Sequence, residues 1–187
     1  MMKKVYILLA DGFECVEALA PIDVMHRAGV ELKRVAVGRN LDVTSSHGLM
    51  TLRCDMLLGD SLLEDGDALI LPGGNPGYIN LRNSEAVCRV VRHYWGSGRL
   101  VAAICGAPTV LAAAGVAHGH RVTCHTSVID DMGDYLYEGD RVVEQDHLIT
   151  AAGAGISIDF ALAIAARLVG AETLSRVRQG MEVEGIK

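Results

Sequence analysis

Leu100-Val101-Ala102-Ala103-Ile104-Cys105-Gly106-Ala107-Pro108-Thr109 runs from an apolar strand pattern through a cysteine and small residues into an apolar helix pattern. A nucleophile held on a sharp strand-to-helix turn needs small neighbours because the backbone there is crowded, and Ala103, Gly106 and Ala107 supply them. The segment reads as a nucleophile elbow. Its thiol is expected to project above the sheet edge at the N-terminal end of the next helix, whose free N–H groups and dipole favour thiolate. A buried cysteine packed as a small hydrophobe fits the same residues, so the segment alone leaves both readings open.

Similar apolar runs recur at Val5–Leu9, Leu32–Val37, Ala68–Leu71 and Leu148–Ala151, with helix-like stretches between most of them. Such alternation predicts βαβ units and a mainly parallel sheet. Helical spacing is clearest at Val87, Val90, Val91 and Tyr94 and at Ile158, Leu162, Ala165 and Val169, which are expected to face the core. Gly29, Gly115 and Gly170 fall where helices should stop, and Pro21 marks either a late helix start or a kink. Val43–Ser46 and Leu49–Arg53 around His47-Gly48 suggest a hairpin appended to the sheet, as does Val142–Gln145 turning at Asp146-His147 into Leu148–Ala151.

The chain has 187 residues, which suits one domain over 1–187, and no linker, internal repeat or charge block divides it. Half of the residues are hydrophobic but only 4% are aromatic, so Val, Leu, Ile and Ala must build the core, as in a parallel sheet flanked by helices. A net charge of −6 without a Lys/Arg run argues against nucleic acid and anionic membranes as partners. Five cysteines without a C-x-x-C pair favour a reducing cytoplasm. The apolar start breaks at Asp11-Gly12, so it is expected to be a first strand and not a signal peptide, and no stretch is long enough to span a bilayer.

In an open parallel sheet, ligands bind beyond the carboxyl ends of the strands. The first such loop places Glu14 and Glu17 at the start of a helix, where either acid alone is explained by the dipole. Another reads Pro72-Gly73-Gly74-Asn75-Pro76-Gly77. Its glycines let backbone amides face a developing oxyanion, although an ordinary turn fits equally well and no phosphate-loop spacing is present. His125, after Val122-Thr123-Cys124, has the chemistry of a base, a proton shuttle or a plain loop residue. His118-Gly119-His120 lies in a turn on the far side of that strand, so no metal site is expected.

Together, Ala10-Asp11-Gly12-Phe13-Glu14-Cys15-Val16-Glu17, Pro21-Ile22-Asp23-Val24-Met25, Leu71-Pro72-Gly73-Gly74-Asn75, Ala102-Ala103-Ile104-Cys105, Val122-Thr123-Cys124-His125 and Asp159-Phe160-Ala161-Leu162 resemble the ThiJ/PfpI family, in order over nearly the whole chain. The closest branch is that of the parkinsonism-associated protein deglycase. The resemblance implies a flavodoxin-like three-layer α/β sandwich, helices on both faces of a mainly parallel sheet, and a homodimer with the site near its interface. It implies Cys105 as nucleophile, Glu17 as the carboxyl group bonded to its sulfur, His125 as the neighbouring imidazole, and Gly74 and Gly106 as the oxyanion-binding amides. Departures from the pattern are His47, where close relatives have an arginine, and Ala154 in place of a proline. Gly106 stands where the protease-like branch has histidine, and no histidine begins the H-x-E pair of the amidotransferases.

The implied activity is that of a cofactor-free, glutathione-independent glyoxalase or protein deglycase. Its partners would be a small 2-oxoaldehyde such as methylglyoxal, or a glycated protein. The rival from another class is a noncatalytic redox sensor or redox-regulated chaperone that uses oxidation of Cys105, since an accessible thiolate suits either role.

Overall fold

The computed structural model describes residues 2–183. Its central sheet runs in the order β10 (Val142–Gln145), β11 (Leu148–Ala151), β7 (Leu100–Ile104), β6 (Ala68–Leu71), β1 (Lys4–Leu9), β2 (Glu31–Ala36) and β5 (Met56–Leu57). Neighbouring strands are parallel except β10, which pairs antiparallel with β11 through the expected turn at Asp146-His147.

Alternating side chains divide between two cores because strand residues point to opposite faces in turn. Tyr6 and Leu8 of β1, Leu69 and Leu71 of β6, and Val101 and Ala103 of β7 enter one core. That core is covered by α2 (Gly77–Arg82), α3 (Glu85–Gly96) and α4 (Thr109–Ala114). Ile7, Leu9, Ile70, Ala102 and Ile104 enter the other, beneath α1 (Cys15–Arg27), α5 (Ser157–Leu168) and α6 (Ala171–Gly180). The result is the mainly parallel sheet that the alternation of elements predicted, in the three-layer α/β sandwich that the resemblance implied.

Several details differ from expectation. The hairpin of β3 (Asp42–Thr44) and β4 (Thr51–Arg53) forms a sheet of its own, tethered to the loop after β1 by a bridge between Phe13 and Ser45. A third small sheet pairs β8 (Arg121–Val122) with β9 (Leu136–Tyr137). In α5 Leu162 and Ala165 are buried as expected, together with Phe160, Ala161 and Ile164, while Ile158 is exposed and Val169 lies past the helix end. Pro21 sits buried inside α1, which begins well before it. Gly115 is a left-handed C-cap as expected, and Gly170 follows the end of α5 as expected but also opens α6, a helix absent from the sequence reading.

This topology fixes where a site can form. The chain leaves β1 over one face to reach β2, and leaves β6 over the other face to reach β7 on the opposite side. The order therefore reverses between β1 and β6, and adjacent loops diverge there to leave a crevice at the carboxyl ends of the strands.

Candidate active site

Cys105 follows directly on β7 and has a φ of 64°, a left-handed conformation that costs energy for any residue with a side chain. Two main-chain bonds hold it there: its N–H donates to the Ala151 carbonyl and its carbonyl accepts the His125 N–H, each at 2.9 Å. The elbow reading thus describes the backbone correctly. Its electrostatic rationale does not hold, because a turn intervenes and α4 begins only at Thr109. The donors that pull the thiol toward ionisation are the Gly74 and Gly106 amides. Both positions require glycine. A Cβ on Gly106 would lie 2.6 Å from the Tyr78 ring, and one on Gly74, whose φ is +90°, would lie 2.3 Å from the Glu14 nitrogen.

Glu17 is fully buried in the first turns of α1. Its Oε2 accepts the Gly73 N–H at 2.8 Å, while Oε1 is buried with no hydrogen-bond partner. Gly73 lets carboxyl and sulfur close up, since a Cβ there would meet the Cys105 Cβ at 2.7 Å and Glu17 Oε2 at 2.8 Å. Burial lifts the Glu17 carboxyl to about 7, against the pull of the Gly73 amide and the Cys105 sulfur. Burial, the Glu17 charge and a hydrogen bond to Glu17 push the Cys105 thiol up to about 12. Both effects of Glu17 on the thiol belong to an ionised carboxylate.

The pair is therefore coupled, and its last proton has two possible seats. On sulfur, the S–H donates to the Glu17 carboxylate. On Glu17, the carboxylic O–H donates to a sulfur that also faces the Gly74 and Gly106 amides. Only the second arrangement gives a thiolate, with three donors around its sulfur.

Around this pair opens a pocket of about 340 Å³, lined by Glu14, Glu17, Gly74, Asn75, Tyr78, Cys105, Gly106, His125, Ser127 and Ala154. It gathers all the residues expected at the site and adds Glu14, Asn75, Tyr78, Ser127 and Ala154. Glu14 occupies the N-cap position of α1 and accepts a hydrogen bond from Ser46 Oγ at 3.1 Å. His47 adopts a φ of 59° on the exposed hairpin loop, outside the pocket lining. A larger hollow of about 500 Å³ at the opposite end of the sheet contains no cysteine, and its Lys3 and Asp67 pair with each other at 2.7 Å. His118 and His120 contact Asp134 and Asp146 instead of Cys124 or His125, and no cluster of three metal-ligating side chains occurs among the described residues.

Residues 3–167 match the DJ-1/PfpI family. The chain is 38% identical over 185 residues to the Parkinson disease protein 7 homolog of Danio rerio, covering 94% of this chain and 95% of that protein. It is 35% identical over 173 residues to the Caenorhabditis elegans protein named glutathione-independent glyoxalase DJR-1.2, covering 91% of each. The crystal structure of Drosophila melanogaster DJ-1beta superposes with a TM-score of 0.93 at 34% identity, over 97% of this chain and 98% of that one.

Proposed function

This chain belongs to the DJ-1/PfpI family, and from that premise we propose that it is a glutathione-independent glyoxalase that uses Cys105 to convert methylglyoxal-type 2-oxoaldehydes, or their adducts on proteins, to 2-hydroxy acids. The convergence of Cys105, Glu17, Gly74 and Gly106 on one pocket carries the assignment. The Cys105 thiolate attacks the aldehyde carbon, and the Glu17 acid protonates the new oxygen, giving a hemithioacetal beside the two glycine amides. The Glu17 carboxylate then takes the hydrogen from that carbon and returns it to the neighbouring one. The hydroxyl proton ends on the second oxygen, leaving a lactoyl thioester, which water cleaves to lactate and the starting thiolate. Oxidation of one substrate carbon is balanced by reduction of the other, so the step itself needs no cofactor.

A homodimer fits the same proposal. Val16 and Leu19 on α1, Leu49 in the hairpin loop and Ile158 on α5 leave apolar side chains in solvent, and α1 and α5 pack side by side. Lactate formation from methylglyoxal without glutathione tests the reaction. Near-complete loss in Cys105→Ala and severe loss in Glu17→Gln are expected; undiminished lactate from the cysteine variant removes the covalent step. Adduct formation without lactate release would instead fit the redox-sensing use of the same thiolate.

A further inference from the structure

His125 and Ser127 form a contact that the reaction scheme above leaves unused. His125 caps a short 3₁₀ helix, Thr126–Met132, with its own ring: the Ser127 N–H donates to Nδ1 at 3.2 Å, and Ser127 Oγ lies 2.8 Å from the same nitrogen. A main-chain N–H can only donate, so Nδ1 must present its lone pair, and the hydroxyl satisfies the same atom by donating as well. A neutral imidazole carries one N–H, which is then on Nε2. That atom makes no hydrogen bond within the chain among the described residues, and the ring lines the pocket beside Cys105.

We propose that Ser127 is a positioning residue that fixes the tautomer of His125, so that the imidazole enters the reaction as an Nε2–H donor to the substrate's second carbonyl oxygen and not as a base. The inference rests on the glyoxalase reading for the identity of that carbonyl. When Glu17 removes the hydrogen from the first carbon, negative charge builds on the oxygen of the second, out of reach of amides that already serve the sulfur and the first oxygen. A fixed N–H donor at that oxygen stabilises the enediolate without itself gaining or losing a proton. A ring with its proton on Nδ1 would turn a lone pair toward the same charge and oppose it.

The adduct of Cys105 with chloroacetone separates this inference from the glyoxalase reading. Thiolate displaces chloride, leaving S–CH2–CO–CH3, which keeps the substrate ketone in place but cannot turn over. With a 13C-labelled ketone, the carbonyl stretch of the wild-type adduct should lie below that of the His125→Ala adduct. Nitrogen NMR of the resting protein should show a protonated Nε2 and a bare Nδ1. Ser127→Pro, which removes both the main-chain N–H and the hydroxyl, should raise the Nδ1–H population and lower kcat about two- to tenfold, the effect of losing one ordinary hydrogen bond. KM should hold, and Ser127→Ala, which keeps the main-chain donor, should keep the tautomer. A shifted stretch in a protein that makes no lactate sinks the glyoxalase reading and leaves the donor role standing. An Nδ1–H tautomer in the wild type, a stretch unmoved by His125→Ala, a folded Ser127→Pro protein unchanged in tautomer and kcat, or a Ser127→Ala protein that shifts to the Nδ1–H tautomer overturns the inference.

Discussion

Replacing Cys105 by alanine isolates the proton that the buried pair shares. Without the sulfur, which pulls the carboxyl down, Glu17 keeps its desolvating surroundings and should titrate at about 7 or above, against an ordinary 4.5. Between those values the folded chain holds a proton that the unfolded chain has released. Its stabilising effect is fully present below 4.5 and is lost as pH rises through 7. The gap is worth about 3 kcal/mol, or about 6–12 °C in Tm for a chain of this size. The wild type should behave differently, because a folded thiolate beside a carboxylic acid holds one proton, as does an unfolded chain with a carboxylate and a thiol. Its profile across the same window should stay nearly flat. Urea unfolding from pH 4.5 to 8 at fixed protein concentration reads this out, with Cys105→Ala/Glu17→Gln as the baseline for all other groups. A Cys105→Ala curve parallel to that baseline would refute the burial argument. A wild-type curve as steep as Cys105→Ala would mean that the folded pair holds two protons in this window, a thiol beside a carboxylic acid, and would refute the thiolate.

Alkylation by iodoacetamide at about pH 6 should label Cys105 before the other cysteines, and Glu17→Leu, which removes the donor to the thiolate, should slow it about tenfold or more; first labelling at Cys15, Cys54, Cys88 or Cys124, or an unchanged rate in the leucine variant, contradicts the thiolate assignment. Gly106→Ala should cost about 1–3 kcal/mol in urea unfolding, because its Cβ would lie 2.6 Å from the Tyr78 ring. Tyr78→Ala in the same chain should recover part of that loss, and strict additivity of the two variants would show that the ring is not the obstacle. Light scattering should give twice the chain mass of 19.9 kDa, and a monomer at all micromolar concentrations would exclude the dimer.

What the sequence revealed, and what it hid, follows from the range of the forces involved. β6, β7 and β11 were legible to the residue, because every side chain in them is buried and such a strand reads as a nearly continuous apolar run, broken here only by Thr150. The same richness blurred the phase of α5. Ile158 through Leu168 is apolar at most positions, so several stripes fit; Leu162 and Ala165 are buried as expected, but packing against α1 and the sheet adds Phe160, Ala161 and Ile164 and leaves Ile158 exposed. The site divides in the same way. Cys105 was visible from its small neighbours, and Gly74 from its turn, since local backbone geometry constrains both. Glu17 could not be told from Glu14 by the dipole argument, which favours both; burial separates them, with Glu17 closed off beside sulfur and Glu14 at the helix entry against Ser46. Tyr78 and Ser127 carried no signal at all. One becomes a wall only because β6 and β7 bring Gly106 against it, and the other matters only because a short 3₁₀ turn folds its amide back onto the preceding histidine. Residues that position others are defined by contacts that arise after the chain has folded, which is why Cys105 was legible in the sequence and the Ser127 contact with its neighbouring imidazole was not.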